Sequence, residues 1–101
     1  MSVKLTLIFA NPTDPAEFES RYAAHKELVA QVPNLLRAEY GKVFPKEDGT
    51  PTPKWRTADL YFTDYATAVA AFETPAGGAV GGNAFEIGTG GVEFLLSDVE
   101  D

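Results

Sequence analysis

Val3, Leu5, Leu7 and Phe9 alternate with Lys4, Thr6 and Ile8. A period of two predicts a strand with one strongly apolar face. Asn11-Pro12-Thr13 breaks the pattern, and the period then changes. Phe18, Tyr22, His25, Val29 and Val32 recur at steps of four, three, four and three, the spacing of one helix face turned toward a core. Asp14 is placed to cap this helix, Pro15 stands where its missing N–H costs nothing, and Glu17 can reach back to the cap backbone. The helix is expected to run to about Gln31 and to end before Pro33, which disfavours helical angles at Val32.

Leu35 to Phe44 reads as a second strand, with Leu36, Ala38 and Tyr40 on one side. Pro45 to Pro53 is a polar loop, the tip of a long hairpin. Trp55 to Thr63 reads as a third strand: Ala58, Leu60 and Phe62 share one face, and Trp55, Thr57, Asp59 and Tyr61 the other. Asp64 can cap a second helix lined by Tyr65, Val69 and Phe72, interrupted at Thr74-Pro75. From there to Gly91 the chain holds seven of its nine glycines. Glycine weakens a helix by about 1 kcal/mol relative to alanine, so this stretch is expected to be frayed or loop-like. Val92, Phe94 and Leu96 form a last strand.

The order strand, helix, strand, strand, helix, strand predicts an α+β fold of the ferredoxin-like βαββαβ type, one domain over residues 1–101, with a four-stranded antiparallel sheet and two helices on one face. The other face then carries Trp55, Tyr61 and Ile8 among Thr57 and Asp59. A face with two large aromatics is expected to be covered. The expected cover is a second copy packed sheet to sheet as a two-fold homodimer, with Trp55, Asp59 and Tyr61 in the interface and Asp59 free to pair with an arginine across it.

Composition narrows the function. The net charge is −7, with an isoelectric point near 4.5, so nucleic-acid backbones and anionic membrane surfaces are disfavoured partners. The acidic residues are dispersed except for Asp98, Glu100 and Asp101, which read as a solvated tail. There is no cysteine, which removes disulfides, thiolate metal sites and a cysteine nucleophile together. One histidine cannot make a multi-histidine centre, and no loop has the carboxylate spacing of a hard-cation site. No metal or other cofactor is expected. The apolar run Val3 to Ala10 is too short for a signal peptide or a membrane span, and a cytoplasmic location is the expectation. The glycines do not follow a strand and open a helix as a phosphate loop must, so nucleotide binding is not expected there.

His25 is the candidate for chemistry. An imidazole on an apolar helix stripe is either a satisfied core residue or the working end of a pocket. Its ordinary pKa near 6.5 suits proton transfer. Tyr40, on the same side of its strand as Ala38, is expected to face it. Tyr22 reads as packing, with its hydroxyl at a pocket rim or in solvent. The small residues Ala38 and Ala58 would leave room for a ligand above the sheet. Arg37 and Arg56 could hold a carboxylate substrate, but exposed ion pairs are the expected assignment.

Several segments, in order, resemble one family. Tyr22-Ala23-Ala24-His25-Lys26-Glu27-Leu28 is similar to a Tyr-x-x-x-His-x-Pro-Leu pattern, with the tyrosine one place closer and Glu27 at the usual proline. Pro33-Asn34-Leu35 resembles the turn after the first helix, Ala58-Asp59-Leu60-Tyr61-Phe62 the third strand, Thr74-Pro75 and a following glycine the break in the second helix, and Thr89-Gly90-Gly91-Val92 the last strand. The chain thus resembles the EthD family of the dimeric α+β barrel superfamily over nearly its whole length. The glycines at 77, 78, 81 and 82 depart from relatives that continue a helix there.

The resemblance implies a homodimer with a small-molecule pocket between sheet and helices in each subunit, and a role in catabolism. Relatives in the superfamily include methylisomerases, cyclases, cofactor-independent oxygenases and haem proteins. It further implies His25 as general acid or base and Tyr40 as the group that orients substrate or stabilises an enolate oxygen. Tyr22, Ala38 and Ala58 would line the substrate. A non-catalytic metabolite-binding or accessory protein is the alternative, and haem binding through His25 a third. The isomerase relatives place a cysteine in the pocket, and this chain has none.

Overall fold

The computed structural model describes residues 2–100, and the first alternating run becomes strand β1 (Val3–Ala10). Helix α1 (Pro15–Val29) follows, with the Asp14 carboxylate accepting from Glu17 N at 3.1 Å and Pro15 in the first turn. Asn34 then takes a left-handed φ of 62°, which asparagine tolerates better than most residues, and leads the chain into β2 (Arg37–Lys42) and β3 (Lys54–Phe62). Helix α2 (Tyr65–Phe72) is capped by Asp64, whose carboxylate accepts from Thr67 N at 2.8 Å. Helix α3 (Pro75–Ile87) and strand β4 (Val92–Asp98) complete the fold. The sheet order is β2-β3-β1-β4 with antiparallel neighbours throughout. This is the ferredoxin-like α+β architecture.

Register sets the faces. Leu5 pairs with Leu60 and Leu96, Leu7 with Ala58 and Phe94, and Phe9 with Arg56 and Val92. These rows meet the helices. Leu7, Phe9, Ala58, Leu60 and Phe62 are fully buried, as are Val80 and Ala84 of α3. Burying one such large side chain contributes about 1.5–3 kcal/mol. On the other face Tyr61 donates to Glu39 at 2.6 Å under the Arg37 guanidinium, 3.9 Å from the ring. Asp59 accepts from Thr6 at 2.5 Å and pairs with Lys4 at 3.8 Å. Asp59 therefore finds its cation within the chain.

Four expectations are corrected. The glycine-rich stretch is a helix, α3, not a loop. The Thr74 hydroxyl caps it by accepting from Gly77 N at 3.1 Å, and Val80, Ala84 and Ile87 bury one face, so tertiary packing outweighs poor propensity. Trp55 does not share the open face with Tyr61. A bulge falls where Phe9 pairs with Arg56 but Ala10 with Lys54, leaving Trp55 as the extra residue. Its indole N–H donates to Glu19 of α1 at 3.0 Å. Leu36 precedes β2 and is exposed. Asp98 ends β4 and is no part of a tail; Asp101 lies outside the described residues.

A Cβ at Gly78, Gly81 or Gly82 would meet nothing within 4 Å. Alanine at each is expected to stabilise the protein by about 0.4–1 kcal/mol, read as a higher urea midpoint. Gly77→Ala is expected to lower the midpoint, because its Cβ would overlap the Ala71 carbonyl and lie 2.5 Å from Phe72 Cα.

Candidate functional site

The helical stripe sets three parallel rings in a row on α1. Phe18 and Tyr22 are 5.2 Å apart between centroids at 24°, and Tyr22 and His25 are 5.7 Å apart at 13°. Phe9 of β1 meets all three edge-on, at 5.2, 5.9 and 5.9 Å. Tyr40 of β2 stands edge-on to Tyr22 at 6.2 Å. Tyr22 is thus the immediate neighbour of both His25 and Tyr40.

His25 is 0% exposed. Its Nδ1 lies 2.8 Å from Asn83 Oδ1 of α3. Its Nε2 has no partner, and neither does the hydroxyl of Tyr22, whose ring stacks on the imidazole; both atoms are buried. An unmade hydrogen bond on a buried polar group costs about 1–3 kcal/mol, and two of them on neighbouring rings mark a place where a ligand could supply what is missing. Burial pulls the His25 pKa below its ordinary value, opposed by the Asn83 bond, so the imidazole is neutral near pH 7. Burial pushes the Tyr22 hydroxyl up to about 12, although the Arg56 cation pulls it the other way. Tyr22 therefore stays a phenol, a donor without an acceptor. This overturns its expected position at a rim or in solvent.

Cations lie against the rings of Tyr22 and Tyr40. Lys26 Nζ is 5.3 Å from the Tyr22 centroid and 4.8 Å from that of Tyr40; Arg56 stands 5.2 Å over Tyr22. Arg56 also binds Glu19, whose carboxyl is held below its usual range chiefly by that bond. Arg56 is thus half-buried, not an exposed ion pair. Burial raises the Tyr40 pKa.

Ala58 is fully buried in the core and Ala38 is half-buried. An apolar concavity lies elsewhere, between α2 and the β4 edge. It measures about 380 Å³ and is lined by Leu5, Ala68, Val69, Phe72, Glu73, Phe94 and Leu96. His25, Tyr22, Tyr40, Ala38 and Ala58 do not line it. Tyr22 adjoins both His25 and Tyr40, and this concavity does not open onto any of the three. Among the described residues no group of three or more acidic or histidine side chains could hold a metal, and no helix is long and apolar enough to cross a membrane.

Asn83 is the site residue that pattern reading missed. Its signal was present: a lone amide between Gly82 and Ala84, in a stretch otherwise of small and apolar residues.

The fold defines a ferredoxin-like α+β protein. No family model matches the sequence. A sequence relative and several solved structures place it more finely. An uncharacterized 11.0 kDa protein from the thcB-thcC intergenic region of Rhodococcus erythropolis is 35% identical over 98 residues, 96% of this chain and 94% of that protein. An EthD family protein from Bacillus halodurans superposes with a TM-score of 0.93 at 21% identity, over 99% of this chain and 100% of the other. A variant of SnoaB, a cofactor-independent oxygenase from Streptomyces nogalater, gives 0.70 at 20% identity, over 99% and 94%. A dimeric ferredoxin-like protein of unknown function from Thermobifida fusca gives 0.72 at 16% identity, over 98% and 92%. The chain belongs to the same family as the Rhodococcus erythropolis protein, and its fold is that of the EthD family protein from Bacillus halodurans.

As the only histidine, His25 governs stability near neutral pH. The unfolded imidazole titrates near its ordinary value of about 6.5 and the folded one lower. Above that value neither form is protonated and its contribution is complete. As pH falls below it, the unfolded chain takes up a proton that the folded chain resists, so stability declines. The urea midpoint is expected to drop from about pH 6.5 downward, and His25→Gln to flatten this segment while leaving the carboxylate-driven loss at lower pH.

Proposed function

We propose that the protein is a homodimer that transfers a proton on a small, partly apolar carbonyl metabolite without a cofactor, as an isomerase or cyclase does. The observation that carries this reading is the pair of unpartnered buried atoms, His25 Nε2 and the Tyr22 hydroxyl. With Asn83 Oδ1 accepting from Nδ1–H, Nε2 holds a lone pair and is a base. The Tyr22 phenol is a donor. An enolisable substrate offers a C–H to the first and a carbonyl oxygen to the second. The C–H bond breaks, its proton goes to Nε2, and its electron pair moves onto the carbonyl oxygen, where the Tyr22 hydrogen bond stabilises the enolate. The imidazolium returns the proton at another carbon. Tyr40, adjoining Tyr22, orients the substrate, and Ala38 and Ala58 face it from the sheet.

The dimer forms through the open sheet face, where Ile8, Tyr61 and Asp59 lie; Trp55, turned toward α1 at its bulge, borders that interface. Fold relatives described as dimeric support it. The concavity beside α2 favours a second reading: its lining is nearly all apolar and apart from His25, which suits a protein that holds or delivers a metabolite unchanged.

Two measurements test these readings. A panel of enolisable ketones and lactones is incubated in deuterated water and followed by NMR for exchange next to the carbonyl. Wild type is expected to exceed buffer by about 10²-fold or more, and His25→Gln to remove the excess. Exchange equal in both rejects proton transfer by His25; binding with the ligand recovered undeuterated supports the second reading. Native mass spectrometry is expected to give twice the chain mass, and Ile8→Arg to shift it to the monomer.

A further inference from the structure

The concavity between α2 and β4 has one acidic corner in an otherwise apolar lining. Resting on the reading in which this concavity holds a metabolite, we propose that its guest is an amphipathic cation. The guest is a small apolar body that carries an amine or ammonium group, and Glu73 receives that group.

The space exists because α2 packs on β1 and β3, which leaves Phe94 and Leu96 on the helix-facing side of β4 partly open. Ala68 lines it from α2, and Leu5 with its cross-strand partner Leu96 lines it from the sheet. Two rings are held in its walls by other rings. Phe72 stands edge-on to Phe62 at 5.8 Å, and Phe94 lies against Phe85 at 5.4 Å. The volume of about 380 Å³ falls within the range of about 300–1,000 Å³ of small-molecule sites, which join an apolar lining to a few placed polar groups.

Among the residues that line the concavity, Glu73 alone is charged. It is exposed, and among the described residues no lysine or arginine lies within ion-pair distance of it. Its position is unfavourable for the helix. Glu73 is the C-cap of α2, where helix carbonyls concentrate negative charge and a cation is the favoured neighbour. The last turn of α2 carries no basic residue. Asp14 and Asp64, by contrast, cap helix N-termini, where negative charge belongs. A residue that breaks a local rule beside a concavity marks a place where function outweighs propensity. The carboxylate, the helix end and the two aromatic walls, whose faces attract cations, make this corner a place for positive charge. The lining supplies no cation, so the charge comes with the guest. A carboxylate guest is repelled by the same corner, and a neutral one gains the apolar contacts alone.

Three probes with one apolar body test this: phenylbutylamine, phenylbutanol and phenylbutyrate, titrated at neutral pH and low ionic strength with binding read from amide NMR shifts. The amine is expected to bind about 3-fold or more tighter than the alcohol, as an ion pair at an exposed rim allows, and the butyrate weakest. Glu73→Gln is expected to bring the amine down to the alcohol and leave the alcohol unchanged. Glu47→Gln, in the loop between β2 and β3, removes the same charge from the chain and is expected to keep the preference. Leu96→Arg, at an exposed position of the lining, is expected to abolish amine binding. Equal affinity for amine and alcohol, a preference that survives in Glu73→Gln, or one lost equally in Glu47→Gln overturns the cation, while alcohol binding at the concavity keeps the holding reading. No binding of any probe, or shifts confined to residues away from the concavity, overturns both.

Discussion

Phe9 is the contact on which the arrangement depends. It is fully buried on the central part of the sheet and meets Phe18, Tyr22 and His25 edge-on. Edge-to-face contacts of this kind are worth about 0.5–1.5 kcal/mol beyond area burial. One ring therefore fixes the rotation of α1 about its own axis, and with it the position of every side chain on the inner stripe. The β3 bulge opens immediately beyond the pairing of Phe9 with Arg56, and it turns Trp55 back toward Glu19. The two anchors of α1, aromatic and ionic, share one stretch of β1 and β3.

Charge is divided across this core in an uneven way. The chain is acidic, yet Lys26, Lys42 and Arg56 lie over the rings of Tyr22, Tyr40 and Trp55, with Glu19 between Arg56 and Trp55. Cations over aromatic faces are held by the ring quadrupole as well as by any carboxylate. His25 is a contrast: a neutral amide is its hydrogen-bond partner, and desolvation is the largest influence on its titration. Two rings stacked on one helix thus sit in different electrostatic surroundings, the phenol beside cations and the imidazole away from them.

Much of this was legible in the sequence. Period two gave the strands, steps of three and four gave the inner stripe of α1, and their order gave the sheet. Pattern failed where a single backbone event changed its phase. At Trp55 one extra residue rotates the side chain off the face that alternation assigns. At α3 local propensity argued against a helix, while Val80, Ala84 and Ile87 supplied a buried stripe that glycine counting hides. The proximity of His25 and Tyr22 followed from helix spacing, but Asn83 did not, because it reaches His25 from 58 residues away. A contact between two helices depends on how they pack, and a one-dimensional period carries no information about that.

The apolar concavity beside β4 has lining residues from β1, α2 and β4, while His25 and Tyr22 both project from α1. The two surfaces share no side chain. Substitutions at Val69, Phe72 or Leu96 can therefore accumulate in a lineage without disturbing the ring row of Phe18, Tyr22 and His25, so the shape of the concavity and the packing of α1 are free to diversify at separate rates.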